Sequence, residues 1–428
     1  MNKLICILVL LPLLGLGQGI RFENGLNWQQ IQEKAKAENK YIFVDCYANW
    51  SGPCKAMAKD VYPNDSVSRF MNDKFISVKV KMDTSEGDDE AVKAWYTDAH
   101  SLMITYKINA FPSFLFFSPE GKILHRDLGY KKPADFVQIA ANATDPGKQY
   151  YTLLQSYRSG TKDYVSMRYL ANSAREFNEP EQAATIAADY LHNYLDKLSF
   201  EAICTRDNLN FMATFAGVLT SKDKVFDCLY HHPALPDSAL HNPDFAKRFV
   251  NYMATKEEIT PVVEAAKKDS TQPDWDRISR HIKRQFGAEY VEKNIVRAKV
   301  DWYKSVKDWK NYTKWLIHNI DMEDIRKLSC DFWGRYSLNN AAWDVFQDSD
   351  DTAELSKALA WSEQIVEMEQ ESNGGDLDTK ANLLYKLGKK DEALTLETKA
   401  VSLDPKNKGI SENFHKMQHG EPTWVVKN

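Results

Sequence analysis

Apolar positions crowd the start of the chain. From Leu4 to Leu16 nearly every side chain is apolar, Lys3 precedes the run, and glycines end it at Gly17 and Gly19. The run is too short to span a bilayer comfortably. Its ending suits a cleaved export leader over residues 1–19, with an uncleaved anchor as the competing reading. Residues 28–38 then place apolar side chains at helical spacing. Residues 40–48, KYIFVDCYA, are a dense β-prone run that feeds a Gly-Pro turn and a helical stretch over 54–72. Residues 75–83 alternate apolar and charged side chains as a strand does, an acidic glycine-containing loop follows at 84–90, and 91–108 reads as one helix. Residues 113–118 and 123–129 read as two strands joined by a PEGK turn, and 133–143 closes the series as a helix. The order α-β-α-β-α-β-β-α predicts an α/β domain with a central mixed sheet flanked by helices on both faces.

From about residue 148 the alternation stops, and helical stretches follow one another with short breaks at Pro, Gly, Asn and Asp. Near the end, Gly388, Ala393, Ala400 and Pro405 have the helix-turn-helix spacing of a tetratricopeptide repeat, in which small residues let paired helices approach and Pro ends the second. The stretches around 338–368 and around 300 read as degenerate earlier units, with a generic helical bundle as the alternative. The expected organisation is a leader over 1–19, an α/β domain over 20–147, a helical domain over 148–335 and an all-α helical-repeat (TPR-like) domain over 336–428.

A length of 428 residues and 43% apolar content suffice for several cores, so global disorder is excluded. A net charge of −5 asks for neither nucleic acid nor an anionic membrane as partner, and no segment after the leader is apolar enough to span a bilayer. An exported chain, periplasmic or secreted, is the expectation. Five cysteines remain after the leader: Cys46, Cys54, Cys204, Cys228 and Cys330. Their number is odd and their spacing sparse, so no disulfide framework follows, although a bridge between Cys204 and Cys228 competes with two buried thiols.

The chemistry concentrates in two stretches, YIFVDCYANWSGPCK at 41–55 and INAFPSFLFFSPEGK at 108–122. On these residues the first 147 positions resemble the thioredoxin superfamily: strand, buried aspartate (Asp45), tryptophan (Trp50) and Gly52-Pro53 turn in the first, and the proline held in cis in that family (Pro112) in the second. With the helical tail, the chain also looks like exported thioredoxin-like proteins of Bacteroidetes. The resemblance implies thiol–disulfide exchange or client-protein binding. In such a turn the first sulfur sits at a helix N-terminus that favours the thiolate and attacks a client disulfide. The second sulfur resolves the mixed disulfide, a buried carboxylate takes its proton, and the backbone beside the cis-proline pairs with an extended client.

Here the first sulfur is replaced by the hydroxyl of Ser51. A helix terminus offers at most about 2 kcal/mol, and one pKa unit takes roughly 1.4 kcal/mol, so an alcohol stays protonated at neutral pH. Two-cysteine turnover at this turn therefore needs a thiol from elsewhere. Cys46 adjoins Asp45 on a strand, where neighbours face opposite sides, so it is expected to point away as a core residue. Three readings of Cys54 stay open: an inert buried thiol, a single thiol resolved by an external thiol or partner oxidoreductase, or a bystander to a binding surface of Trp50, Ser51, Gly52, Pro53, Phe111 and Pro112. Asp45 is the candidate proton acceptor for the second reading. The leading expectation is client-protein binding, and the alternative is a single-cysteine oxidoreductase or isomerase.

Other clusters carry less. His231–His232 lacks spaced ligand partners and reads as a loop, and SEGDDE at 85–90 lacks calcium-loop spacing and reads as solvated. Trp302, Tyr303, Trp309, Tyr312 and Trp315 read as packing between helices. No phosphate loop, hydrolase elbow or H-E-x-x-H motif occurs, and neither cofactor nor metal is expected.

Overall fold

The structure, a computed structural model, describes residues 19–425, so the leader reading falls outside the described residues except for Gly19. Helix α1 spans Trp28–Glu38 because both ends are chemically marked. The Asn27 side chain accepts from the Gln30 N–H at 2.9 Å while Gln30 accepts from the Asn27 N–H at 3.0 Å, a reciprocal cap that satisfies two otherwise orphan donors. Asn39 ends the helix in the left-handed region at φ 48, a conformation its short polar side chain tolerates.

Strands β1 (Tyr41–Tyr47), β2 (Phe75–Lys81), β3 (Ser113–Phe117) and β4 (Ile123–Leu128) form one sheet in the order β2-β1-β3-β4. β1 runs parallel to β2 and antiparallel to β3, and β3 runs antiparallel to β4, as expected of a mixed sheet. β1 is central and buried on both faces, which explains an apolar run broken only by Asp45. Ile42, Val44 and Cys46 face α1 and α5 (Tyr96–Thr105), packing with Ile31, Ala35 and Leu102. Phe43 faces the other way, toward Met57, Phe114, Phe116 and Phe136. Each such buried side chain contributes about 1.5–3 kcal/mol relative to exposure.

The helical stretch expected over 54–72 is divided. α2 (Gly52–Ala56) widens into a π-turn over Met57–Val61, and α3 covers Asp65–Lys74. Pro63 between them has no N–H for a continuing ladder, and Asn64 caps α3 by accepting from the Ser66 and Val67 N–H groups. The helix expected over 91–108 is likewise two, α4 (Glu90–Lys93) and α5, the first capped by Asp89 accepting from the Val92 N–H at 2.8 Å.

The acidic loop before α4 is not simply solvated. Asp88 folds onto the buried ammonium of Lys81 and accepts from the Tyr96 hydroxyl at 2.6 Å. Lys81 holds the Asp88 carboxyl well below the usual carboxylate range. The loop is thereby pinned to the end of β2.

The described residues divide into two compact units, one comprising 19–219 with 223–225 and the other 220–222 with 226–425. In the first, α6 (Pro133–Ala143) closes the α/β part, and α7 (Tyr150–Arg158), α8 (Tyr164–Glu176) and α9 (Pro180–Asn193) follow. β4 anchors these helices. Arg126 donates to the Tyr106 carbonyl at 2.8 Å, lies 4.1 Å from the Phe177 ring centroid and 3.7 Å from Glu179 Oε1. His125 Nδ1 accepts from the Tyr150 N–H at 3.1 Å, and burial pushes the imidazole down to about 4, so it stays neutral and able to accept.

The second unit is helical throughout. Trp302, Tyr303 and Tyr312 are buried in its core, with Trp309 and Trp315 packed at the edge. At its end, the helices Gly374–Lys386 and Lys390–Leu403 form the hairpin the spacing predicted. Ala393 and Ala400 are fully buried, and a Cβ on Gly374 would lie 3.1 Å from the Ala400 carbonyl oxygen. Small side chains are what allow that approach. The fold is thus an α/β part built on a four-stranded mixed sheet, followed by a helical region that ends in a close-packed helical hairpin.

Candidate functional site

Where β1 ends, the chain turns through Ala48, Asn49 and Trp50, with the Ser51 N–H donating to the Ala48 carbonyl at 3.1 Å. Ser51 is the N-cap of α2, at φ −75 and ψ 113, and its Oγ accepts from the Cys54 N–H at 3.3 Å. Pro53 occupies the first turn, where its missing N–H leaves nothing unsatisfied. The Ser51 hydroxyl also donates to the Phe111 carbonyl at 3.3 Å. It therefore links the start of α2 to the segment ahead of β3, and Ser51 itself is only 3% exposed.

The Phe111–Pro112 peptide bond is cis, and the Pro112 carbonyl accepts from the Gly129 N–H at 2.8 Å. Above it stands Trp50, 71% exposed, its ring edge-to-face with Phe111 at 5.8 Å and 78°. Phe111 is half-buried and Gly52 and Pro53 are exposed, so the turn presents an apolar surface to solvent. Cys54 lies beneath it, 7% exposed.

Asp45 sits on the opposite face of β1 from Cys46 and pairs in register with Lys79 on β2. The Lys79 ammonium is 4.0 Å from Asp45 Oδ2 and lies against the Tyr47 ring at 4.9 Å. Asp45 Oδ1 and the Tyr62 hydroxyl are buried without a hydrogen-bond partner. Burial is the main influence on this carboxyl and raises it from an ordinary 3.8 to about 6, against the opposing pull of Lys79 and Tyr62. The Tyr62 phenol is itself pushed up, first by burial and then by Asp45, with Cys54 acting in the same direction. Tyr62 thus stands within electrostatic reach of both the carboxyl and the recessed thiol. Sequence reasoning had not singled it out, and its place at the end of the π-turn gave no periodic signal.

Cys46 packs with Ile31, Val44 and Leu115, and burial holds its thiol well above its ordinary range. Cys204 and Cys228 are buried, and Cys330 is a free, exposed thiol. His231 closes a helical turn with Asp227 at 3.3 Å and is mostly exposed.

A thioredoxin-like domain family model matches residues 28–144. Thiol:disulfide interchange protein DsbD of Colwellia psychrerythraea is 32% identical over 106 residues, 24% of this chain, and the match spans only 16% of that protein's length. Thioredoxin H1 of Arabidopsis thaliana is 30% identical over 116 residues, 27% of this chain and 85% of the relative. Among solved structures, DsbH oxidoreductase is 19% identical with a TM-score of 0.26, covering 33% of this chain and 93% of that one. Among the described residues, no helix is long and apolar enough to cross a membrane.

Proposed function

We propose, from the premise that the chain belongs to the thioredoxin superfamily, that its thioredoxin-like module binds extended segments of client proteins and does not carry out dithiol exchange. One observation carries this reading: the exposed Trp50 rests on Phe111 beside the cis peptide bond, while the position of the attacking thiol holds a serine engaged on both sides. An extended client pairs with backbone at the cis-proline and lays an apolar side chain against Trp50 and Phe111. To use the Phe111 carbonyl it displaces a single 3.3 Å hydroxyl contact, a modest cost. The helical region offers a second surface for the same clients, as helical repeats commonly do. We place the protein in the cell envelope or outside it, on the strength of the leader-like first 19 residues.

A second reading draws support from Asp45. That reading assigns the Cys54 proton to Asp45, whose carboxyl burial raises to about 6 and which holds an unpartnered oxygen. The thiolate would attack a client disulfide, form a Cys54–client bond and release the other client sulfur as thiolate. An external thiolate would then attack the client sulfur of the mixed disulfide, forming an external-thiol–client disulfide and releasing the Cys54 thiolate to take up a proton.

The two are separated by measuring binding of a cysteine-free extended peptide and glutathione-coupled disulfide exchange on the full chain. The binding reading expects Trp50→Ala to weaken peptide binding about tenfold, roughly 1.4 kcal/mol, with Cys54→Ala unchanged and no exchange activity. Exchange activity that disappears in Cys54→Ala would establish the second reading in its place.

A further inference from the structure

Away from the thioredoxin turn, three metal-ligating side chains converge in the first unit. His192 lies in the last turn of α9, Asp196 one helical turn further on, and Asp223 immediately ahead of the helix Lys224–His231. His192 Nδ1 is 3.7 Å from Asp196 Oδ2 and 3.1 Å from Asp223 Oδ1. All three ligand atoms lie within 4.8 Å of one another. We propose that His192, Asp196 and Asp223 form a binding site for a borderline divalent cation of the zinc class, clasping the end of α9 to the chain at residue 223.

The geometry favours a cation over a simple ion pair. Ligands about 2.1 Å from a common centre in a tetrahedron lie about 3.4 Å apart, and the two separations from Nδ1 fall on either side of that figure. An imidazole Nδ1 carries at most one proton, directed along one line in the ring plane. It can serve the nearer carboxylate well but not both, whereas a metal ion accepts all three atoms together.

The site is supported from behind. Asp196 uses Oδ1 to accept from the Val225 N–H at 3.1 Å, which orients Oδ2 toward the cluster. The Lys224 ammonium is directed elsewhere, donating to the Leu198 carbonyl at 2.5 Å and lying 5.6 Å from the Phe200 ring. The two carboxylates are mostly covered, at 17% and 13% side-chain exposure, while His192 at 39% leaves an opening for water to complete the coordination. One nitrogen with two carboxylate oxygens suits Zn²⁺ better than the all-oxygen preference of Ca²⁺ or Mg²⁺.

The sequence could not show this cluster, because Asp223 is far from the His192/Asp196 pair along the chain. Metal-ligand motifs are legible only when ligands recur at short spacing.

The test uses the full chain stripped with EDTA and titrated with ZnCl₂, with bound metal counted after desalting. We expect one zinc per chain and a higher melting temperature in its presence. Both His192→Gln and Asp223→Asn should lower affinity at least tenfold, with circular dichroism confirming the fold of each. Co²⁺ substitution should give ligand-field bands without a thiolate charge-transfer band, which separates this site from the exposed Cys330. Absence of stoichiometric zinc, retention of full affinity in both variants, or a thiolate band would overturn the proposal and leave an imidazole–carboxylate ion pair only.

Discussion

Replacing Asp45 by Asn should stabilise the sheet at neutral pH. The carboxyl is fully covered, and burial raises it from 3.8 to about 6 despite Lys79 at 4.0 Å. A group whose folded pKa lies above its unfolded one adds stability that is complete below about 4 and is lost as pH rises through about 6. At 1.36 kcal/mol per unit, the loss approaches roughly 3 kcal/mol above pH 7. Asparagine has nearly the same shape and no charge to desolvate, so Asp45→Asn should recover about 1–3 kcal/mol at pH 8 and nothing at pH 4. His125 complicates the absolute profile, because burial lowers it from 6.5 to about 4 and it therefore removes stability as pH falls through that window. The difference between variant and wild type cancels His125. Two compact units make a single global transition unsafe to assume, so the measurement is hydrogen exchange of the β1 amides, corrected for intrinsic rates, from pH 4.5 to 8. A variant no better protected than wild type at pH 8, or a difference that does not vary with pH, would refute the reasoning about this carboxyl.

Two further outcomes follow from the same kind of accounting. Ser51→Cys should produce a disulfide with Cys54, because the two positions bracket one helical turn already joined by the Ser51 cap at 3.3 Å; mass spectrometry in a Cys330→Ser background, which removes the exposed thiol, reads a loss of two hydrogens to the added oxidant that dithiothreitol reverses, and a folded variant that stays reduced under oxidant contradicts this geometry. In the terminal hairpin, burial first and Asp378 second push the Glu397 carboxyl up to about 10, so the stability it contributes is complete below about 4.5 and declines as pH rises toward 10; amide protection in Gly374–Lys386 and Lys390–Leu403 should fall between pH 6 and 9 in wild type and hold in Glu397→Gln, and equal falls in both would remove Glu397 as the cause.

Elements with marked ends were legible in the sequence, and those shaped by distant partners were not. Trp28–Glu38 and Pro133–Ala143 were read with the bounds the structure gives, since Asn27 and Pro133 mark the starts chemically. The interruption at Tyr62–Asn64 was missed because helical periodicity resumes in α3 with the same polarity, although Pro63 and Asn64 together were a local stop-and-start signal. Alternation along 75–83 makes Lys81 one more charged strand position, and SEGDDE at 85–90 reads as solvated. Only the fold shows that the loop carries a carboxylate back to that lysine. At the site, residue types pointed to the thioredoxin turn and to Pro112, and alternation along β1 assigned Asp45 and Cys46 to opposite faces. Tyr62 and Lys79 reach Asp45 from other elements, and no spacing in the chain announces that.

Ser51 was first legible as a missing thiol, but in the fold it has positive work. Serine is among the strongest N-cap residues, and an uncapped helix start costs about 1 kcal/mol; Ser51 supplies the cap for α2 and adds a bond to the Phe111 carbonyl. Both contacts hold the turn closed over Cys54 and keep the Phe111–Pro112 segment at a fixed place beneath Trp50. A turn locked in this way suits a docking surface, whose affinity gains from preorganisation. It suits exchange chemistry poorly, because a client disulfide must come within reach of a sulfur that is 7% exposed. Asp45 works against that simple division, since it keeps a raised carboxyl and an unpartnered oxygen near Tyr62 with no cost-free structural use. If Asp45→Asn stabilises the sheet and leaves peptide binding intact, the carboxyl is a burden the binding surface does not need. If the same variant removes a Cys54-dependent exchange activity, the burden has a catalytic use and the locked turn must open for it.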